Sequence, residues 1–142
     1  MVGRSSARRR VSDHPWRVAA AAALLLTAGC GLFGDPVKDQ WTSRTELASC
    51  GEVSLGQGEQ MQQKAVQEIA CLQRALKDGE SAELKVTHPT VEGDPLRTYY
   101  RVLPQGRLEV YTDSTDDRYS DRNWSFAECY SPEWLPGISC AQ

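Results

Sequence analysis

The run Leu24-Leu25-Leu26-Thr27-Ala28-Gly29-Cys30 constrains this chain more than any other stretch, because it decides which residues are left to fold. Ahead of it, Arg4, Arg8, Arg9, Arg10 and Arg17 make a basic cluster, and Val18 to Gly29 carries no charge. A basic segment, a short apolar segment and small residues before a cut follow the order of an export signal. The uncharged run is 12 residues long, and a spanning helix needs about 20. Residues 1–29 are therefore expected to be removed rather than kept as a membrane helix. Arg8-Arg9-Arg10 lacks the hydrophobic residues that should follow a twin-arginine pair.

Ala28 and Gly29 directly before Cys30 resemble the lipoprotein box, in which the thiol is acylated and becomes the new N-terminus. Thr27 stands where Leu is commonest in such boxes, with Leu26 one residue earlier. The resemblance implies a lipid on Cys30 and a membrane as the first partner. Each buried CH₂ is worth about 0.8 kcal/mol, so two or three acyl chains anchor a protein stably. The competing reading is an ordinary secretory signal with a coincidental cysteine. It does not explain why the cysteine falls directly after two small residues.

Cysteine usage follows from that cut. Of five cysteines, Cys50, Cys71, Cys129 and Cys140 remain beside the anchor. An even number in an oxidising compartment reads as two disulfides, and four cysteines allow three pairings. Sequence neighbours favour Cys50–Cys71 and Cys129–Cys140, while a bridge from Cys50 or Cys71 to the C-terminal segment stays open. A zinc site is disfavoured, because there is no Cys-x-x-Cys and His88 is the only histidine after the cut.

The signal takes five of the 16 basic residues and one of the 19 acidic ones, leaving about −7. An acidic surface repels phosphate backbones, so no nucleic-acid partner is expected. The 113 residues after the cut suit one small domain. The organisation read from the chain is a lipoprotein signal peptide at 1–29, a lipidated N-terminus and tether at 30–45, and a single domain at 46–142.

Within the domain, hydrophobic spacing predicts an α+β fold. Gly31 to about Arg44 reads as tether, with Trp41 as a docking residue for the domain edge. Leu47 to Leu55 reads as a short strand or an extended segment. Ser54-x-x-Gln57 resembles a capping box ahead of a helix from about Gly58 to Asp78. Met61, Ala65, Ile69, Leu72 and Leu76 form its apolar stripe, with Cys71 on the flank and Gly79 as the stop. Four strands follow at Ala82–Thr87, Arg97–Leu103, Arg107–Thr112 and Asn123–Tyr130, the middle pair joined by Pro104-Gln105-Gly106. Ala82, Leu84, Val86, Leu108, Val110, Trp124 and Phe126 are expected on the core face, with Glu109 and Tyr111 outward. The expected architecture is one amphipathic helix packed on a four-stranded antiparallel meander, in two layers, stapled by disulfides. The tail after Ser131 reads as irregular, with Trp134 covering an edge.

Two polar loops carry what chemistry the chain offers. Thr90-x-Glu92-Gly93-Asp94-Pro95-Leu96 and Asp113-x-Thr115-x-Asp117-x-Tyr119 flank the central hairpin. This order of strings, T-x-E-G-D-P-(I/L) and D-x-T-x-D-x-(Y/F), is similar to a family of small bacterial lipoproteins of unknown function. The likeness covers about residues 82–130, departs at Asp121 where relatives often have Gly, and implies no activity. As plain turns, the loops need Gly93 for a positive φ and Asp94, Asp113 and Thr115 as caps. As a cation site, Glu92, Asp94, Asp113, Asp116 and Asp117 would offer calcium hard oxygens, although their spacing is not that of an EF-hand. A carboxylate pair for glycoside chemistry is a further alternative. No Gly-x-Ser-x-Gly occurs, and a lone His88 at a strand end reads as a surface residue.

Tyr99 and Tyr111 fall on the outer face of adjacent strands beside Arg101, and Tyr/Arg surfaces are enriched in binding hot spots. The candidate binding residues are thus Tyr99, Arg101, Tyr111, Glu92, Asp94, Asp113 and Asp117. Together these readings predict a lipid-anchored, non-catalytic module of a bacterial cell envelope with an envelope protein as candidate partner. The alternatives are an envelope hydrolase or calcium-binding protein using the acidic loops, and an inhibitor or assembly-factor domain docking on a larger envelope protein. No cofactor is expected, calcium being the one considered.

Overall fold

A computed structural model of the chain describes residues 34–134 and 138–140. The stretches expected to be an export signal, a lipidation site at Cys30 and the start of a tether lie outside the described residues, as do Pro136 and Gly137 of the tail.

Four of the strands form the expected meander. They are β2 (Ala82–Pro89), β3 (Pro95–Leu103), β4 (Arg107–Asp113) and β5 (Trp124–Cys129). A fifth, β1 (Ala48–Ser54), lies parallel to β2, so the sheet is mixed, in the order β1-β2-β3-β4-β5. The purely antiparallel, four-stranded expectation is corrected by β1. The extended segment expected at Leu47 to Leu55 is this strand, but its place beside β2 was not expected. Gly51 at φ 118 shifts its register between Ser49 and Gly51, a bulge that breaks the period of two. Parallel neighbours need a crossover, and the helical segment between β1 and β2 supplies it.

That segment is not one helix. α2 (Met61–Lys64) and α3 (Val66–Asp78) meet at Ala65, whose φ and ψ of −115 and 36 lie outside the helical range. The Ser54-x-x-Gln57 box does not open it: Ser54 belongs to β1, and Gly58 has φ 75. The chain before α2 is tied to the sheet instead. Leu55 N–H donates to the Thr87 carbonyl at 2.8 Å, and the Gln57 amide donates to the Thr90 and Val91 carbonyls. The expected apolar stripe faces inward, with Ala65, Ile69 and Leu72 buried and Met61 and Leu76 partly so, and Ala75 joins it. Gly79 ends α3 at φ 71, where a side chain would be strained. The stripe packs on Val53, Ala82, Leu84, Val86, Tyr100, Val102 and Leu108.

The second face of the sheet is covered too. Asp35 and Pro36 start α1 (Pro36–Thr42), so part of the expected tether is a helix. One Asp35 oxygen accepts from Val37 N–H at 3.0 Å and Lys38 N–H at 3.1 Å, and Pro36 takes a first-turn position that needs no donor. α1 delivers Trp41 onto Tyr99, Tyr111 and Trp124. The sheet therefore lies between α3 and α1, three layers in place of two. Trp124 and Phe126 sit on the α1 side, contrary to expectation, because β5 pairs Phe126 with Tyr111 and Trp124 with Asp113. Paired residues share a face.

Both favoured disulfides form. Cys50–Cys71 fastens β1 to α3, and Cys129–Cys140 fastens β5 to the tail. The tail is a small ribbon, β6 (Pro132–Glu133) with β7 (Ser139–Cys140), in place of irregular chain. It sets Ile138 and, in part, Trp134 against the α3-side core.

Candidate functional site

The residues expected to bind a partner divide into two groups. Tyr99, Arg101 and Tyr111 lie beneath α1. Glu92, Asp94, Asp113 and Asp117 lie in the loops at one end of the sheet.

Beneath α1 the aromatic rings are packed, not presented. Trp41 stands 4.1 Å from Tyr99, 5.2 Å from Tyr111 and 5.8 Å from Trp124, centroid to centroid. Tyr111 is 1% exposed, which corrects its expected outward exposure. The alternation placed it on the right face, but Trp41 covers that face. Burial raises the hydroxyl pKa of both Tyr99 and Tyr111. On the α3 side, burial pushes Tyr100 up to about 12.

Arg101 is equally engaged. It donates to Glu109 at 2.7 Å, to Glu83 at 3.3 Å and to the Thr45 carbonyl at 2.8 Å. Arg44 completes the set, reaching Glu83 at 3.1 Å with its guanidinium 3.3 Å above the Trp41 ring. A guanidinium over a tryptophan face gains about 0.5–2 kcal/mol according to its hydration. The cluster therefore locks α1 to β2, β3 and β4. A cleft of about 250 Å³ opens beside it, lined by Trp41, Arg44, Glu52, Glu83, Lys85 and Tyr99. Lys85 and Glu52 pair across its rim at 3.0 Å.

The loop group is built from carboxylates facing arginines. Asp94 crosses to the other loop: its oxygens accept from Arg118 Nε and the Arg118 backbone N–H at 3.1 Å. The hydrogen bonds from Arg118 hold the Asp94 carboxyl below its usual 3.8. The turn that Asp94 was expected to cap is closed by Thr90, whose hydroxyl accepts from Asp94 N–H at 3.1 Å, and Gly93 supplies φ 92. Asp113 does cap the strand exit, accepting from Thr115 N–H at 3.0 Å and Thr115 hydroxyl at 2.6 Å. Its other oxygen lies 3.4 Å from Arg97, which also reaches Asp116 at 2.7 Å. Asp117 accepts from Tyr119 N–H at 2.9 Å, and Glu92 is exposed. Among the described residues, no three His, Cys, Asp or Glu side chains converge to hold a metal ion. His88, expected at the surface, is partly buried, and burial lowers its pKa below 6.5.

Asp35 is the residue the sequence reading missed. Its second oxygen accepts from Trp124 N–H at 2.6 Å, so one carboxylate both starts α1 and pins it to β5. The Asp-Pro pair of a capped helix start was the available signal. The chain matches no protein-family model, no curated protein and no solved structure.

Proposed function

We propose that this protein is a lipid-anchored, non-catalytic interaction module on the outer side of a bacterial cytoplasmic membrane. The observation that carries the proposal is the cysteine pattern. All four described cysteines are paired, and Cys30 is the fifth, placed directly after Ala28 and Gly29 at the end of an apolar run. Disulfides persist in oxidising compartments, which agrees with export. The non-catalytic part draws on the loops, where Asp94 pairs with Arg118, and Asp113 and Asp116 pair with Arg97. Charges satisfied by one another read as loop architecture, and the two loop strings are taken as those of the small-lipoprotein family. With α1 over Tyr99 and Tyr111, contact with an envelope protein falls to the exposed margin of β5, where Phe126 and Tyr130 are accessible.

Fractionation of a bacterium expressing the full chain tests the anchor. The wild type is expected in the detergent-soluble membrane fraction and Cys30→Ala outside it. Equal partitioning of both would overturn the proposal.

A further inference from the structure

Several loops and the start of the described chain meet at one end of the sheet. Pro89 pairs with Pro95, Arg97 with Asp113, and Asp113 with Trp124. These pairings put the Thr90–Asp94 turn, the Ser114–Asn123 loop and the beginning of β5 side by side. Asp35, bonded to Trp124 N–H, places Gly34 there as well. Cys30 is four residues before Gly34, a span of about 14 Å even when fully extended. Two large apolar side chains project from the same end, Val91 at 90% exposed and Tyr119 at 74%. The bridge between Arg118 and Asp94 holds their loops together.

We infer that this end is the bilayer-facing surface of the domain, with Val91 and Tyr119 touching the interface of a lipid membrane. The inference rests on the lipid at Cys30. The tether is too short to let the far end, where Glu80 precedes β2, approach as easily. The eight residues of β2 set the two ends about 23 Å apart. The tyrosine suits the interfacial zone, where an apolar body with a polar tip is favoured, and the wholly apolar valine beside it gains by leaving water for the acyl boundary. The charges at this end are Arg97, Arg118 and Arg122 against Asp35, Glu92, Asp94, Asp113, Asp116, Asp117 and Asp121. After the pairing described above the balance is acidic. Contact is therefore stronger on zwitterionic than on anionic lipid, and added salt restores it on the latter.

The test uses the lipidated full-chain product in phosphatidylcholine vesicles carrying a headgroup energy acceptor. With the cysteines paired or acylated, single substitutions Val91→Cys, Tyr119→Cys and Glu80→Cys can each take a donor dye. Transfer from positions 91 and 119 is expected to exceed that from 80 at least twofold. Adding Val91→Asp and Tyr119→Asp to a Glu92→Cys reporter is expected to lower its transfer. Replacing a third of the lipid by phosphatidylglycerol is expected to weaken transfer from 91 at low salt. Equal transfer from 91, 119 and 80, an unchanged Glu92→Cys signal, or stronger transfer on the anionic vesicles would each overturn the inference. Failure of the protein to float with the vesicles would instead remove the anchor on which both readings stand.

Discussion

Asp35 uses its two carboxylate oxygens separately. One closes the first turn of α1, and the other holds the first amide of β5. The Trp124 amide is the main reason the carboxyl lies below its ordinary 3.8. A carboxyl lowered on folding stabilises fully above its unfolded value, and that stability is lost as pH falls through the folded one. The wild type is therefore expected to weaken below about pH 4. Asp94 and Glu59 are lowered in the same direction by Arg118 and by the Gly56 amide. Asp35→Asn should melt lower than wild type at pH 7 and lose less between pH 7 and pH 3. Melting scans at both values check it, and an unchanged acid dependence would show that the pin carries no weight. The same residue explains a limit of legibility. A helix start was readable in Asp35-Pro36, but nothing local in the sequence indicates that Asp35 also reaches a strand 89 residues away.

At the scale of elements, α1 depends on Trp41. The ring is 8% exposed and central to its cluster, and Trp→Ala in such a place costs about 3–5 kcal/mol. Trp41→Ala is expected to free α1 from the sheet while the α3-side core remains, so that trypsin cuts after Lys38 and Arg44 at least ten times faster. Unchanged cleavage would mean that Arg44 and Asp35 suffice. The disulfides fasten different elements and should differ in effect. Closing the 21-residue separation of Cys50–Cys71 is worth about 3 kcal/mol by loop entropy. The 11-residue separation of Cys129–Cys140 is worth somewhat less, under about 3 kcal/mol. Replacing both cysteines of the first pair by serine should lower stability more than replacing the second. Denaturant titrations of the two variants decide this, and the reverse order would show that the tail ribbon matters more to the fold than β1 does.

Which elements could be read from sequence follows from how local their causes are. β2, with Ala82, Leu84 and Val86 inward, needs only its own alternation, and the disulfides need only neighbour pairing and a count. The stripe on α3 is equally local. By contrast, β1 was readable as an extended segment but not as a parallel neighbour of β2, and the break between α2 and α3 at Ala65 has no local signal in the sequence. The candidate site was legible as a set of faces and not as a set of exposures. Tyr99 and Tyr111 do leave the α3 side, but whether a face meets water depends on a seven-residue helix whose one apolar pair, Val37 and Trp41, is too short to read as a stripe.

For the whole molecule, the pieces converge on a small acidic domain with its sheet covered on both sides, joined through Asp35 to a short link from Cys30. The most direct measurement is the intact mass of the full chain after expression in a bacterium and extraction from its membranes. Alkylation under non-reducing conditions should accompany it. The expected result is a polypeptide beginning at Cys30, carrying a diacylglyceryl group and offering no thiol to the alkylating agent. A chain that keeps residues 1–29, or one whose Cys30 reacts as a free thiol, would contradict the anchored, extracytoplasmic reading.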